Sequence, residues 1–190
     1  MTWLIIGIAV FFGVHLLPAN PSLREKLVRD LGATPYKIAF AALSFIGVAM
    51  MVVGMGAAPY TAVWQPPAAT ATAVLMAPAL ILLVAMNFDN NIKRIVRHPM
   101  MWGVLLWAAS HLLVNGAAAA MILFGSFAVY ALFHLCSARQ RAAPKPPDSS
   151  TAAIKKAPIK RDVLAGVIGL IAYALLVAFH DTLFGVAVFF

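Results

Sequence analysis

The chain has one cysteine, six acidic residues and only 11% charged residues in a length of 190. A single thiol, Cys136, permits no intrachain disulfide, so a disulfide scaffold is excluded. Soluble domains carry about a quarter charged residues. Even a compact domain of ~190 residues leaves roughly a quarter to a third of its unfolded-chain surface in water. So little charge excludes an ordinary soluble enzyme, and it equally excludes a disordered chain, which needs polarity to stay unfolded. Soluble-type catalytic machinery is missing as well: no HExxH, CxxC, CxxCH, GxSxG, Walker or GxGxxG pattern is present.

What is present is apolar. Hydrophobic residues make up 63% of the chain and mean hydropathy is +0.93. A helix crossing the hydrocarbon core needs about 17 to 25 such residues, and about six runs approach that length. They are Thr2–Leu17, Lys37–Met55, Thr70–Asn87, Met100–Val114, Ala117–Cys136 and Val163–His180, of which the first and fourth are short. The fold class expected is therefore all-α, a polytopic transmembrane helical bundle forming a single domain over 1–190. The apolar tail Leu183–Phe190 is too short to span. The first run lacks a basic start and a small-x-small site, so it reads as a span and not as a cleaved signal.

The net charge of +8 and pI near 10.1 would point to nucleic acid in a soluble protein. Here the positions of the charges exclude that partner. Arg24, Lys26, Arg29 and Lys37 follow the first run; Lys93, Arg94 and Arg97 follow the third; Arg139, Arg141, Lys145, Lys155, Lys156, Lys160 and Arg161 follow the fifth. All 14 basic residues thus fall in alternate loops, which the positive-inside rule makes cytoplasmic, leaving both termini periplasmic. The bilayer is the first partner implied.

The loops differ in character. Ser22-Leu23-Arg24-Glu25 has the spacing of a capping box, with Leu23, Leu27 and Leu31 on one face and Gly32 as a stop. That pattern predicts a short amphipathic helix on the headgroups. Tyr60, Trp64, Pro66 and Pro67 predict a rigid turn anchored by aromatics. The segment Ala142–Ala157, rich in Pro, Ala, Ser and Lys, reads as a flexible cytoplasmic linker. Pro78 falls inside the third run and should kink it.

With no carboxylate or long cation deep in a run, the ionisable groups left inside the membrane are histidines: His15, His98, His111, His134 and His180. Intramembrane ionisable groups are costly and therefore candidates for function, and imidazole suits metal or haem ligation. His15 lies about a turn from the cytoplasmic end of its run, and His98 and His134 sit at a similar level. His111 is ~20 Å above His98 at 1.5 Å per residue, towards the outer side, where His180 also lies beside Asp181. Each of these rings has a plain alternative as an interfacial or helix-bridging group.

The densest cluster is Arg97-His98-Pro99, with Gly103, Trp107 and His111 recurring every four residues along one face. Pro99 fits a first helical turn, so Arg97 and His98 would form a positive mouth suited to an anionic group such as a haem propionate. The alternative is that the stripe only packs helices.

These residues carry a resemblance. Arg97-His98-Pro99-x-x-x-Gly103, then Leu106-Trp107-x-x-Ser110-His111-x-x-x-Asn115-Gly116, with His15 and Pro21-Ser22-Leu23-Arg24 upstream, resemble the NnrU family over nearly the whole chain. The resemblance implies a multi-pass protein of the bacterial inner membrane linked to nitrite and nitric oxide metabolism. The related 15-cis-zeta-carotene isomerases use a b-type haem. By that likeness haem b is the implied cofactor, with His15 and His111 as metal ligands; His98 and Arg97, from their place at the helix mouth, are further cofactor-binding candidates. The depth arithmetic separates His15 from His111 and leaves His98 as the alternative partner. The isomerase's additional cysteine ligand corresponds to Ala108 here. A redox or isomerase-like role follows, acting on a hydrophobic or redox small molecule. The other readings are a cofactor-free membrane accessory protein for denitrification, with a membrane protein partner, or a zeta-carotene isomerase-like enzyme. Arg-His-Pro also resembles the membrane isoprenylcysteine methyltransferases, but no glutamate follows the fifth run, so methyl transfer is not expected.

Overall fold

The computed structural model describes residues 1–65, 70–141, 156–185 and 188, and every regular element among them is helical. In chain order these are α1 (Thr2–Leu16), a 3-10 turn (Leu17–Ala19), α2 (Pro21–Leu31), α3 (Ala33–Gly56), α4 (Thr70–Ala85), α5 (Asn91–Val96), α6 (Pro99–Val114), α7 (Ala118–Arg141) and α8 (Ile159–Phe184). Four helical segments, Thr2–Ala19, Ala33–Gly56, Ala118–Ala138 and Ile159–Phe184, are long and apolar enough to cross a membrane. Val74–Ala85 and Pro99–Val114 are apolar but shorter. Pro66, Pro67, most of the expected linker at Ala142–Ala157 and half of the tail Leu183–Phe190 lie outside the described residues.

The chain forms two compact units, Met1–Val63 with Ala117–Ser126, and Trp64–Gly116 with Phe127–Phe190. In the first, α1 packs along α3. Without a hydrophobic drive between helices in lipid, such packing depends on close backbone approach at small residues. Gly7 on α1 lies against Gly47 and Met51 of α3, where a Cβ would come within 2.7 Å of the Met51 backbone nitrogen. Gly54 takes the backbone of Leu4, which is fully buried. α2 leaves this pair as an amphipathic helix. Its N-cap is Asn20, whose Oδ1 accepts the Leu23 N–H at 3.2 Å. This corrects the expected Ser22 capping box: Pro21 occupies the first helical position and moves the cap one turn-entry earlier. Gly32 ends α2 at φ +88° as expected.

In the second unit α4 packs on both α6 and α8. Gly103 faces Ala79 and Leu83 of α4, and Gly169 of α8 faces Ile81, where a Cβ would lie 2.7 Å from the Ile81 Cα. Pro78 lies within α4, one residue before the buried Ala79.

Two sets of loop contacts fix helix ends. In the first unit the Ala118 N–H donates to Thr61 at 2.8 Å beside an Ala62–Ala117 bridge. In the second, Asp162 in the first turn of α8 takes the Asn91 and Ile92 N–H groups at 2.7 and 3.1 Å and the Asn91 side-chain amide at 2.6 Å. The same amide donates to the Ala157 carbonyl at 2.8 Å, and Asn91 accepts the Ala157 N–H at 3.0 Å. Asn90, buried, caps α5 through the Lys93 N–H at 2.7 Å.

Candidate functional site

The C-terminal turns of α6 hold His111 in a local hydrogen-bonded unit. The Trp107 carbonyl accepts from the Ser110 hydroxyl and from His111 Nδ1, both at 2.8 Å. The His111 carbonyl in turn accepts the Asn115 side-chain amide at 2.9 Å and its N–H at 3.0 Å, which closes the helix end. The Trp107 indole is tilted against the His111 ring at 5.2 Å and meets Phe127 edge-on at 5.2 Å. A carbonyl oxygen can only accept, so His111 Nδ1 must carry the proton. In the neutral ring the lone pair is then on Nε2.

His111 lines a cleft with Met76, Tyr173, Leu176, Val177, His180 and Val188. His180 packs on Phe184 at 4.9 Å. The sequence places His111 and His180 at one level, and in the second unit they share this space. Its volume, about 50 Å³, suits a water or an ion. Cofactor pockets run to roughly 300–1,000 Å³.

In the first unit His15 repeats the His111 geometry. Its Nδ1 lies 2.8 Å from the Phe11 carbonyl, four residues back. The ring stacks on Phe11 at 4.0 Å and tilts against Phe40 of α3 at 5.1 Å. The same argument places its lone pair on Nε2. An axial ligand to iron must offer such an unprotonated nitrogen, and ligating histidines commonly donate their other N–H to a carbonyl. The donor chemistry of both rings fits a haem; the volume of the small cleft does not.

Arg97 and His98 occupy the other end of α6. Both are exposed, Arg97 at φ +56° and ψ −46°, a conformation an L-residue adopts only at a cost. His98 is the N-cap and buried Pro99 the first helical residue, as the sequence indicates, but the imidazole makes no capping bond. Thirteen residues of helix, ~20 Å, separate this mouth from His111. Gly103, between them, is committed to packing against α4. His134 lies against Tyr130 at 4.5 Å and Phe133 at 5.6 Å. Among the described residues no group of three or more His, Cys, Asp or Glu is arranged to hold a metal ion.

Sequence reasoning passed over Asn91 and Asp162, 71 residues apart. The available signal was Asp162 as an acid within a strongly basic loop, at the start of an apolar run, where an anion complements the helix dipole.

A family model described as NnrU protein matches residues 3–188. No curated protein and no solved structure matches the chain.

Proposed function

Because the chain belongs to the NnrU family of membrane proteins, we propose that it is a multi-pass inner-membrane protein holding a b-type haem through imidazole ligation. The role proposed is redox or isomerase-like, linked to nitrite and nitric oxide metabolism. The observation that carries the reading is the shared geometry of His15 and His111, each with Nδ1 held by the carbonyl four residues back. That bond fixes the tautomer, limits ring rotation and raises the basicity of Nε2, which is how outer-shell carbonyls prepare a histidine for a metal. A bound haem would supply an iron able to exchange an electron or to act on a conjugated substrate. The chain's own part is to orient each imidazole, His15 beside Phe11 and Phe40 and His111 beside Trp107. Arg97 and His98 are proposed as cofactor-side groups for a carboxylate. Purification in mild detergent with a pyridine haemochrome assay tests the reading. A protein that stays colourless after haem supplementation contradicts it.

We further propose about six spans with both termini periplasmic and a single domain along the chain. The Asn91–Asp162 bonds support this count. If α4 and α6 did not cross, the loop carrying Asn91 would lie outside while the loop leading into α8 lay inside. Residues on opposite sides of a membrane cannot share a hydrogen bond.

A cofactor-free accessory protein is the second reading, favoured by the small volume beside His111. It predicts that His15→Ala and His111→Ala still complement a deletion strain.

A further inference from the structure

The first unit contains a second cleft, larger than that at His111 and of different chemistry. It measures about 260 Å³ and is lined by Pro18 of the 3-10 turn, Arg24 of α2, and Tyr36, Lys37 and Phe40 of α3. Both charged residues in the lining are cations. The Tyr36 hydroxyl is buried and, among the described residues, has no hydrogen-bond partner. Buried polar atoms are nearly always paired, so an unpaired one calls for an explanation. Pro18 and Phe40 are the apolar residues of the lining, with the Tyr36 and Phe40 rings tilted at 6.4 Å.

We propose that this cleft binds a phosphate group, as carried by the headgroup of an anionic phospholipid. The Arg24 guanidinium offers a planar fork that matches phosphate oxygens. Lys37 adds a second positive charge on the next helix, and the Tyr36 hydroxyl donates to a remaining oxygen. Pro18 and Phe40 take the glycerol and the first methylenes. The setting agrees: α2 is an amphipathic helix of the kind that lies among headgroups, and basic pockets between membrane helices favour anionic lipid. None of its residues is a haem-ligand candidate; Phe40 also lies against His15, and the test reads bound lipid, which separates the two readings.

The test uses the full chain in mild detergent, titrated separately with phosphatidylglycerol, with phosphatidylcholine and with inorganic phosphate. Native mass spectrometry counts adducts and thermal unfolding measures the shift in Tm. The expected result is one retained phosphatidylglycerol per chain and a raised Tm, with phosphatidylcholine held at least tenfold more weakly. Competition by inorganic phosphate would identify the free anion as an alternative source for the same site. Arg24→Gln with Lys37→Gln should weaken phosphatidylglycerol binding at least tenfold, while Lys26→Gln, outside the lining, should not. Tyr36→Phe separates binding from folding: without lipid its Tm should equal or exceed that of the parent, yet its lipid-induced rise should shrink. No retained lipid or phosphate, or retention unchanged in the Arg24/Lys37 variant, would overturn the proposal. A Tyr36→Phe protein with a lower Tm but an undiminished lipid response would do the same.

Discussion

His111 Nδ1 lies 2.8 Å from the carbonyl oxygen of Trp107, and this bond determines what the imidazole can do. The ring is held in one tautomer on the last turns of α6, with its lone pair on Nε2. Ser110 donates to the same carbonyl, so removing its hydroxyl leaves the His111 bond to Trp107 in place. Ser110→Ala should cost about 0.5–1.5 kcal/mol, the net worth of one hydrogen bond. It should leave any haem spectrum unchanged. Thermal unfolding followed by circular dichroism, beside an absorption spectrum, checks both parts.

The Asp162 carboxylate ties the start of α8 to the start of α5. Asp162→Ala leaves two backbone N–H groups and one N–H of the Asn91 amide without their acceptor and should lower Tm. Asp162→Asn should lower it less, because one carboxamide oxygen can still accept the two N–H groups. Asn91→Ala in the Asp162→Ala background should lower Tm further, because the two Asn91–Ala157 bonds remain to be lost, but by less than Asn91→Ala does alone. Additive losses would place the stabilisation elsewhere.

Topology is tested at Arg94, which follows the same contact. In a Cys136→Ser background, Arg94→Cys should be protected from a membrane-impermeant maleimide in intact spheroplasts and labelled after permeabilisation. Labelling in intact spheroplasts would mean that α4 and α6 do not cross.

Helix packing in the first unit gives a paired test. A Cβ on Gly54 would enter the Leu4 backbone, whereas one on Gly56 meets nothing within 4 Å. Gly54→Ala should therefore cost about 1–3 kcal/mol by overpacking. Gly56→Ala should be close to neutral. Equal effects would show that α1 and α3 do not depend on that approach.

The helices over the apolar runs, the Gly32 stop and the His98–Pro99 helix start were legible because each depends on local chemistry. The contacts between helices were not. A helix apolar on all faces carries no amphipathic stripe, so nothing in the sequence says that Gly169 meets Ile81 or that Gly54 meets Leu4. The α2 cap went to Asn20 and not Ser22 because Pro21, lacking an N–H, takes the first helical position. Asn91 and Asp162 were illegible for another reason, since their loops meet only once α4, α6 and α8 are assembled. His111 and His180, which the sequence reading set at one level, line one cleft. The i−4 carbonyl bonds of His15 and His111 follow from the helix itself, though the choice of that rotamer does not.

Haem titration of the purified protein, read in the Soret band and by pyridine haemochrome, decides whether the chain holds a haem. One haem per chain is expected in the parent, with His15→Ala and His111→Ala each binding at least tenfold more weakly and folding as the parent does. A parent protein without a Soret band, or variants that bind haem as tightly as the parent, would contradict it.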